Sequence, residues 1–398
     1  MRATGCGRGF GRAALLLSLL CAVAVAVSTS GAFAQSTAHT APAVTAAAMP
    51  MPDRKPPVSE ELSQTPSISE TPAKELFSSV TSGAEMRPKP IGFYTAGCLA
   101  GGKALPVTGP AWQAMRLSRN RNWGHPALIE YVERLAKEAK EEDGWPGLLV
   151  GDLSQPRGGP MITGHTSHQV GLDADIWLTP MPDRVLTPEE RENISAVSML
   201  KDPFTVDPEI WTPSHTALIK RAASDDQVAR IFVHPAIKKK LCETAGSDRR
   251  WLGKVRPWWN HYYHFHVRLD CPPGISGCRN QPPVSGADGC GKEVENWMVK
   301  LRQAEIWKAE ERVKPGKPAP EKPPLKLTDL PEQCESVLTS GNASVLPEPG
   351  EPSAMLRAIA SKEAGPPLPA PDPNMLNILK NGGDPAKEPV PLPDRKPR

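Results

Sequence analysis

Apolar residues recur with a helical period in HPALIEYVERLAKEAKEED, where Leu128, Ile129, Val132, Leu135 and Ala136 are separated by charges and Pro126 suits a first turn, so a helix is predicted there. SHTALIKRAASDDQ, from Ser214, reads as a second helix, and KEVENWMVKLRQAEIWKAEERVK, from Lys292, as a long amphipathic one that closes the domain. GLLVGDL and ARIFVHP are short, branched and apolar, as strands are. In HYYHFHVRLDC the period changes to two: Phe265, Val267 and Leu269 point one way, His264, His266 and Arg268 the other. DADIWL repeats this, with Asp173 and Asp175 on one face and Ala174 and Ile176 toward the core. Helices and strands are mixed irregularly, with no βαβ rhythm and no Gly-rich phosphate loop. The expected class is therefore α+β, a central antiparallel sheet with flanking helices.

This texture runs from Ile91 to about Trp307 and fails at both ends. Arg2, Arg8 and Arg12 precede the apolar run AALLLSLLCAVAVAV, and AFA precedes Gln35, so residues 1–34 read as a secretory signal cleaved after Ala34. The run falls short of the roughly 20 residues that span a bilayer, and no transmembrane segment is expected after cleavage. Residues 35–87 form a linker rich in Pro, Ser, Thr and Ala, and residues 337–398 a Pro-rich disordered tail whose partner the sequence does not name; of 46 prolines, 19 follow Val313. PDRKP occurs in both, at Pro52 to Pro56 and Pro393 to Pro397, as an interaction motif or a chance likeness of composition. Cleavage would remove Cys6 and Cys21 and leave six cysteines, an even set that in an exported chain implies three disulfides among about 15 pairings. Cys271 and Cys278 are near enough to close a short loop, and the absence of any CxxC argues against a thiolate metal site. The formal net charge of +3 neither demands nucleic acid, which is not expected as a partner, nor excludes an anionic polymer such as a cell wall.

The candidate chemistry lies in GHTSHQVGLDADIWLTP, which places His165, His168, Asp173 and Asp175 just ahead of an apolar run. Zinc accepts histidine nitrogen and carboxylate oxygen, and a catalytic site uses three protein ligands so that water can take the fourth position. Gly171 suggests a turn between His168 and the strand DADIWL, and a third ligand has to come from another strand. HFH offers it, because His264 and His266 share one face of the alternation.

His168-x6-Asp175 followed much later by H-x-H resembles the lysostaphin, D-Ala-D-Ala carboxypeptidase and sonic hedgehog superfamily of zinc peptidases. More narrowly, QPRGGPMITGHTSHQVGLDADIWL, RIFVHPAIKKKLC and RPWWNHYYHFHVRLDCP closely resemble the penicillin-insensitive murein endopeptidases, over a domain of residues 88–336. The resemblance implies His168, Asp175 and His266 as ligands of one zinc ion, His264 as general acid or base beside the water that the metal activates, and His261 as a second histidine near the oxyanion. It also implies disulfides Cys98–Cys334, Cys242–Cys290 and Cys271–Cys278. A second metal would use His165 and Asp202, but the histidine that the family places three residues further on is Thr205 here; otherwise His165 orients the loop or contacts substrate. Asp173 is read as a carboxylate that hydrogen-bonds a ligand histidine, or as a ligand itself. His234 and His215 are read as structural, the latter following Ser214 as a helix cap. Trp258 and Trp259 line a substrate groove or pack in the core, and Arg157 grips a substrate carboxylate or joins a loop salt bridge. The implied protein is a periplasmic zinc endopeptidase that cuts the D-Ala to meso-diaminopimelate cross-link of peptidoglycan and that penicillin does not inhibit. The alternatives are a D,D-carboxypeptidase or dipeptidase, or a zinc-bearing module without catalysis.

Overall fold

The structure is a computed structural model and describes residues 67–315 and 322–342. The signal at 1–34, the linker up to residue 66, both PDRKP copies and the tail from 343 lie outside the described residues. A six-stranded sheet runs in the order Val255–Pro257, Val228–Val233, His264–Leu269, Asp173–Trp177, Leu148–Val150, Trp112–Ala114. The three inner pairings are antiparallel, as expected. The two outermost pairings are parallel, so the sheet is mixed rather than antiparallel throughout. Each parallel edge follows from a crossover, which parallel neighbours require. The helix Pro126–Glu142 connects Trp112–Ala114 to Leu148–Val150, and the helix Pro235–Thr244 leads from Val228–Val233 to Val255–Pro257. These two βαβ units escaped the periodicity reading because each outer strand is only three residues long.

The helix Pro126–Glu142 begins with proline at a first-turn position, where no amide hydrogen is needed, and the His125 ring accepts from Ala127 N. It buries Leu128, Ile129, Val132, Leu135 and Ala136 as the pattern requires. Each large aliphatic chain so buried contributes about 1.5–3 kcal/mol. The helix Lys292–Val313 also forms where predicted, but only Val294, Leu301 and Glu305 of it are buried, so it lies on the body as a lightly packed strut. The main core fills the sheet face carrying Ala174, Ile176, Phe265, Val267 and Leu269.

A second apolar cluster shifts the expected domain boundary. The helix Ala73–Ser79, inside the segment expected to be linker, buries Ala73, Leu76 and Phe77 against Ile91, Cys98, Leu327, Leu330, Cys334, Val337 and Leu338. Ala73 N donates to Leu325 O, and the helix Gln333–Thr339 completes the seam. Among the described residues three disulfides are present, Cys98–Cys334, Cys242–Cys290 and Cys271–Cys278. Among the described residues no helix is long and apolar enough to cross a membrane.

Candidate metal centre

The strand Asp173–Trp177 lies antiparallel to His264–Leu269, with Asp175 opposite His266 and Asp173 opposite Arg268. The period of two therefore brings Asp173, Asp175, His264 and His266 out on one face, opposite the main core. The loop between Gly164 and Gly171 carries His165 and His168 against them. His168 has φ 68°, left-handed backbone that costs a non-glycine residue of order 1–3 kcal/mol. Glycine is required at 171, where φ is 70° and a β-carbon would meet His125 N at 2.9 Å. The loop is held by contacts of His168 itself: its amide donates to Asp173 Oδ2 at 3.1 Å and its Nδ1–H donates to Leu153 O at 2.5 Å. That second bond fixes the tautomer, so Nε2 carries a lone pair.

One carboxylate gathers four imidazoles. Asp175 Oδ1 is 3.5 Å from His168 Nε2 and 3.4 Å from His266 Nδ1, while Oδ2 is 3.5 Å from His165 Nδ1 and 3.4 Å from His264 Nε2. His168 Nε2, Asp175 Oδ1 and His264 Nδ1 are buried with no hydrogen-bond partner. Buried polar atoms are normally paired, and two of these orphans, His168 Nε2 and Asp175 Oδ1, face each other at 3.5 Å as two ligands of one ion would. Two donors bound to one ion at about 2.0–2.2 Å with tetrahedral angles stand about 3.4 Å apart, which matches these separations. His165, His168 and Asp175 each offer a ligand atom within 4.8 Å of the others, and the His266 ring stands 4.6 Å from that of His168.

A further layer aims the donors. Asp173 Oδ1 accepts from His266 Nε2 and from Arg268 Nε, both at 2.7 Å, which turns the His266 Nδ1 lone pair toward Asp175. Asp173 thus makes the hydrogen bond to His266 that one of its two readings expected. Burial alone would raise its pKa, but Arg268 and His266 hold it below the usual carboxylate range. Asp152, which the strand pattern of GLLVGDL did not single out, does the same for His165. Its Oδ2 lies 3.1 Å from His165 Nε2, 3.1 Å from Arg119 and 2.9 Å from Arg121. His261 donates from Nδ1 to Trp259 O at 2.6 Å, which leaves Nε2 as an acceptor, and its ring is 4.9 Å from that of His264.

Burial holds His264 and His266 down to about 4 and, together with the neighbouring His264, holds His261 down to about 3. Burial would also lower His168, but Asp175, Asp173 and Asp152 outweigh it and raise the group. In the unfolded chain all four return to about 6.5. Between pH 6.5 and 4 the unfolded state then takes up more protons at His261, His264 and His266 than the folded state does, and only His168 works in the opposite sense. Stability of chelator-treated protein is accordingly expected to be full above pH 6.5 and to decline toward pH 4. A thermal midpoint that stayed level over this interval would contradict the assignment of His261, His264 and His266 as neutral.

Other expected site residues are placed elsewhere. Arg157 is buried, and its guanidinium donates to Ser82 O, Val337 O and Leu338 O, so it fastens the terminal seam instead of facing substrate. Asp202 lies at a hairpin, where its Oδ1 accepts from Phe204 N, and it is not in the metal-ligating group found among the described residues. His215 stacks on Trp211, accepts from Thr212 N and bonds Leu178 O, capping its helix from within the first turn and not in concert with Ser214. His234 accepts from Ala236 N at the start of its helix. Trp258 is 45% exposed and so is no core residue.

A family model described as penicillin-insensitive murein endopeptidase matches residues 90–339. The protein named "Penicillin-insensitive murein endopeptidase" from Haemophilus influenzae is 46% identical over 259 residues, which are 64% of this chain and 84% of that one. Proteins of the same name from Klebsiella pneumoniae and Yersinia enterocolitica are each 39% identical, over 275 and 276 residues, covering 68% of this chain and 92% and 93% of theirs.

Proposed function

The chain belongs to the penicillin-insensitive murein endopeptidase family, and from this premise we propose that it is an exported, periplasmic, zinc-dependent endopeptidase hydrolysing the D-Ala to meso-diaminopimelate amide of peptidoglycan cross-links. The single observation that carries the metal part of this reading is the orphaned His168 Nε2, directed by the Nδ1–H bond to Leu153 O and facing an unpartnered oxygen of Asp175. His168, Asp175 and His266 would hold the ion, and His165 presents a further donor to the same carboxylate. The chemistry that zinc would supply there is Lewis acidity toward a carbonyl and a lowering of the pKa of water to near 7.

The protein's own residues divide the remaining work. His264 is neutral at neutral pH, stands beside His266 on the shared face and has a free Nδ1, so it can take a proton from the attacking water and return it to the leaving amine. His261 offers an acceptor toward His264 and fits a proton relay better than donation to an oxyanion, because its one ring hydrogen is committed to Trp259 O. Asp173 and Asp152 hold the ring orientations. No serine is acylated in this scheme, so a β-lactam has nothing to trap.

The reading is tested by digesting purified sacculi with and without chelator and weighing the products. Cross-linked muropeptides should become monomers, and chelation should stop the reaction until zinc is restored. Removal of only terminal D-Ala would favour a carboxypeptidase, and no cleavage by zinc-loaded protein would favour a module without catalysis.

A further inference from the structure

Beside the histidine cluster lies an exposed aromatic corner that the chemistry above does not use. The ring of Trp297, on the helix Lys292–Val313, stands 5.7 Å from that of Trp258 and 5.3 Å from that of Trp259, with interplanar angles of 57° and 70°. The three rings therefore form tilted faces and not one packed stack, and Trp258 is 45% exposed. The corner is continuous with the centre: Phe232 lies 6.0 Å from Trp258 on one side and 5.3 Å from His266 on the other. The backbone is bent to hold it there. Asn260 and His261 are consecutive left-handed residues with φ 58° and 54°, and the loop is anchored by Trp258 N to Val233 O and His234 N to His261 O. Strain of this kind persists where surrounding contacts impose it, and it is concentrated at sites of function.

We propose that Trp258, Trp259 and Trp297 are a saccharide-stacking wall that holds the glycan strand of murein while the attached peptide cross-link enters the histidine cluster. This rests on the murein reading. A pyranose ring presents an apolar face of C–H groups and an equator of hydroxyls, and tryptophan offers a large rigid apolar face with a polar edge. Asn260 is exposed, and the Lys300 ammonium lies over the Trp297 ring 5.1 Å from its centroid, so the open face of the wall is that of Trp258 and both polar groups can hydrogen-bond hydroxyls. The two ring-to-ring steps from His266 to Trp258 span at most about three residues of extended peptide at roughly 3.5 Å each.

An amidase splits sacculi into glycan strands without peptide and cross-linked peptides without sugar, and both serve as probes. Binding is followed by tryptophan fluorescence on full-length chelator-treated protein, which requires no cleavage. Stripped glycan should bind saturably, and Trp258→Ala should weaken it by about tenfold, with Trp258→Phe in between because a smaller ring remains. With zinc-loaded protein, Trp258→Ala should raise KM on sacculi by about tenfold more than on the sugar-free peptides, with kcat little affected. Melting curves of both variants distinguish loss of the wall from loss of the fold, and Trp258→Phe carries the test if the alanine variant unfolds. Absence of glycan binding by the wild type, or equal losses on sugar-bearing and sugar-free substrates, overturns the proposal and assigns the corner to the peptide or to packing. Glycan binding that depends on Trp258 in a protein that cleaves nothing would refute the endopeptidase reading and leave the wall in place.

Discussion

His168→Ala is expected to abolish cleavage of sacculi and to leave purified protein without stoichiometric zinc. The imidazole is fully buried and its Nε2 is directed toward Asp175 by the hydrogen bond that Nδ1–H donates to Leu153 O. The polarisation that a bound ion supplies is worth several kcal/mol, which is on the order of a thousandfold in rate or more. Asp173→Asn provides the graded comparison. It keeps an oxygen toward His266 and Arg268 but removes the charge, and the aim of a ligand from behind is worth about 10–100-fold in metal affinity. Metal content by atomic spectroscopy and muropeptide analysis on the same preparations check both. A His168→Ala protein that retained zinc and half its activity would end the assignment of His168 as a ligand.

Cys98→Ala/Cys334→Ala is the change expected to cost the most stability. The bond joins residues 236 apart, and the chain-entropy relation gives about 5 kcal/mol for a loop of that length, against about 2–3 kcal/mol for Cys271–Cys278 with its separation of 7. For a domain of this size a loss of about 5 kcal/mol corresponds to roughly 10–20 °C in Tm. Both cysteines are wholly buried in the cluster with Leu76, Phe77 and Val337, and alanine keeps that environment apolar. Circular dichroism melts of the two paired variants, taken alongside the wild type, should rank them in this order; equal midpoints would mean that packing alone secures the seam.

What could be read from the residues depended on how locally each feature is written. HFHVRL alternates over its whole length, so the face carrying His264 and His266 was legible, as were the helix at Pro126 and the faces of Asp173 and Asp175. The outer strands Trp112–Ala114 and Val255–Pro257 are too short for any period to emerge, which concealed the parallel edges. The helix Ala73–Ser79 was hidden by its Pro- and Ser-rich surroundings, because seven residues with one apolar side show little until the partner surface is known. Asp152 is a single carboxylate at a strand end, and its meaning comes from Arg119, Arg121 and His165, which reach it from separate segments. Arg157 was beyond local reading for the same reason, since Val337 O and Leu338 O lie 180 and 181 residues away along the chain.

The seam between Ala73–Ser79 and Gln333–Thr339 has a kinetic corollary. Its contacts are among the most non-local in the molecule, and non-local contacts slow folding because the ends must find each other before anything is gained. The seam cannot form until the helix Gln333–Thr339 has been synthesised, whereas every strand of the six-stranded sheet ends before Asp270. The Cys98–Cys334 bond that locks this seam forms only where an oxidant is present.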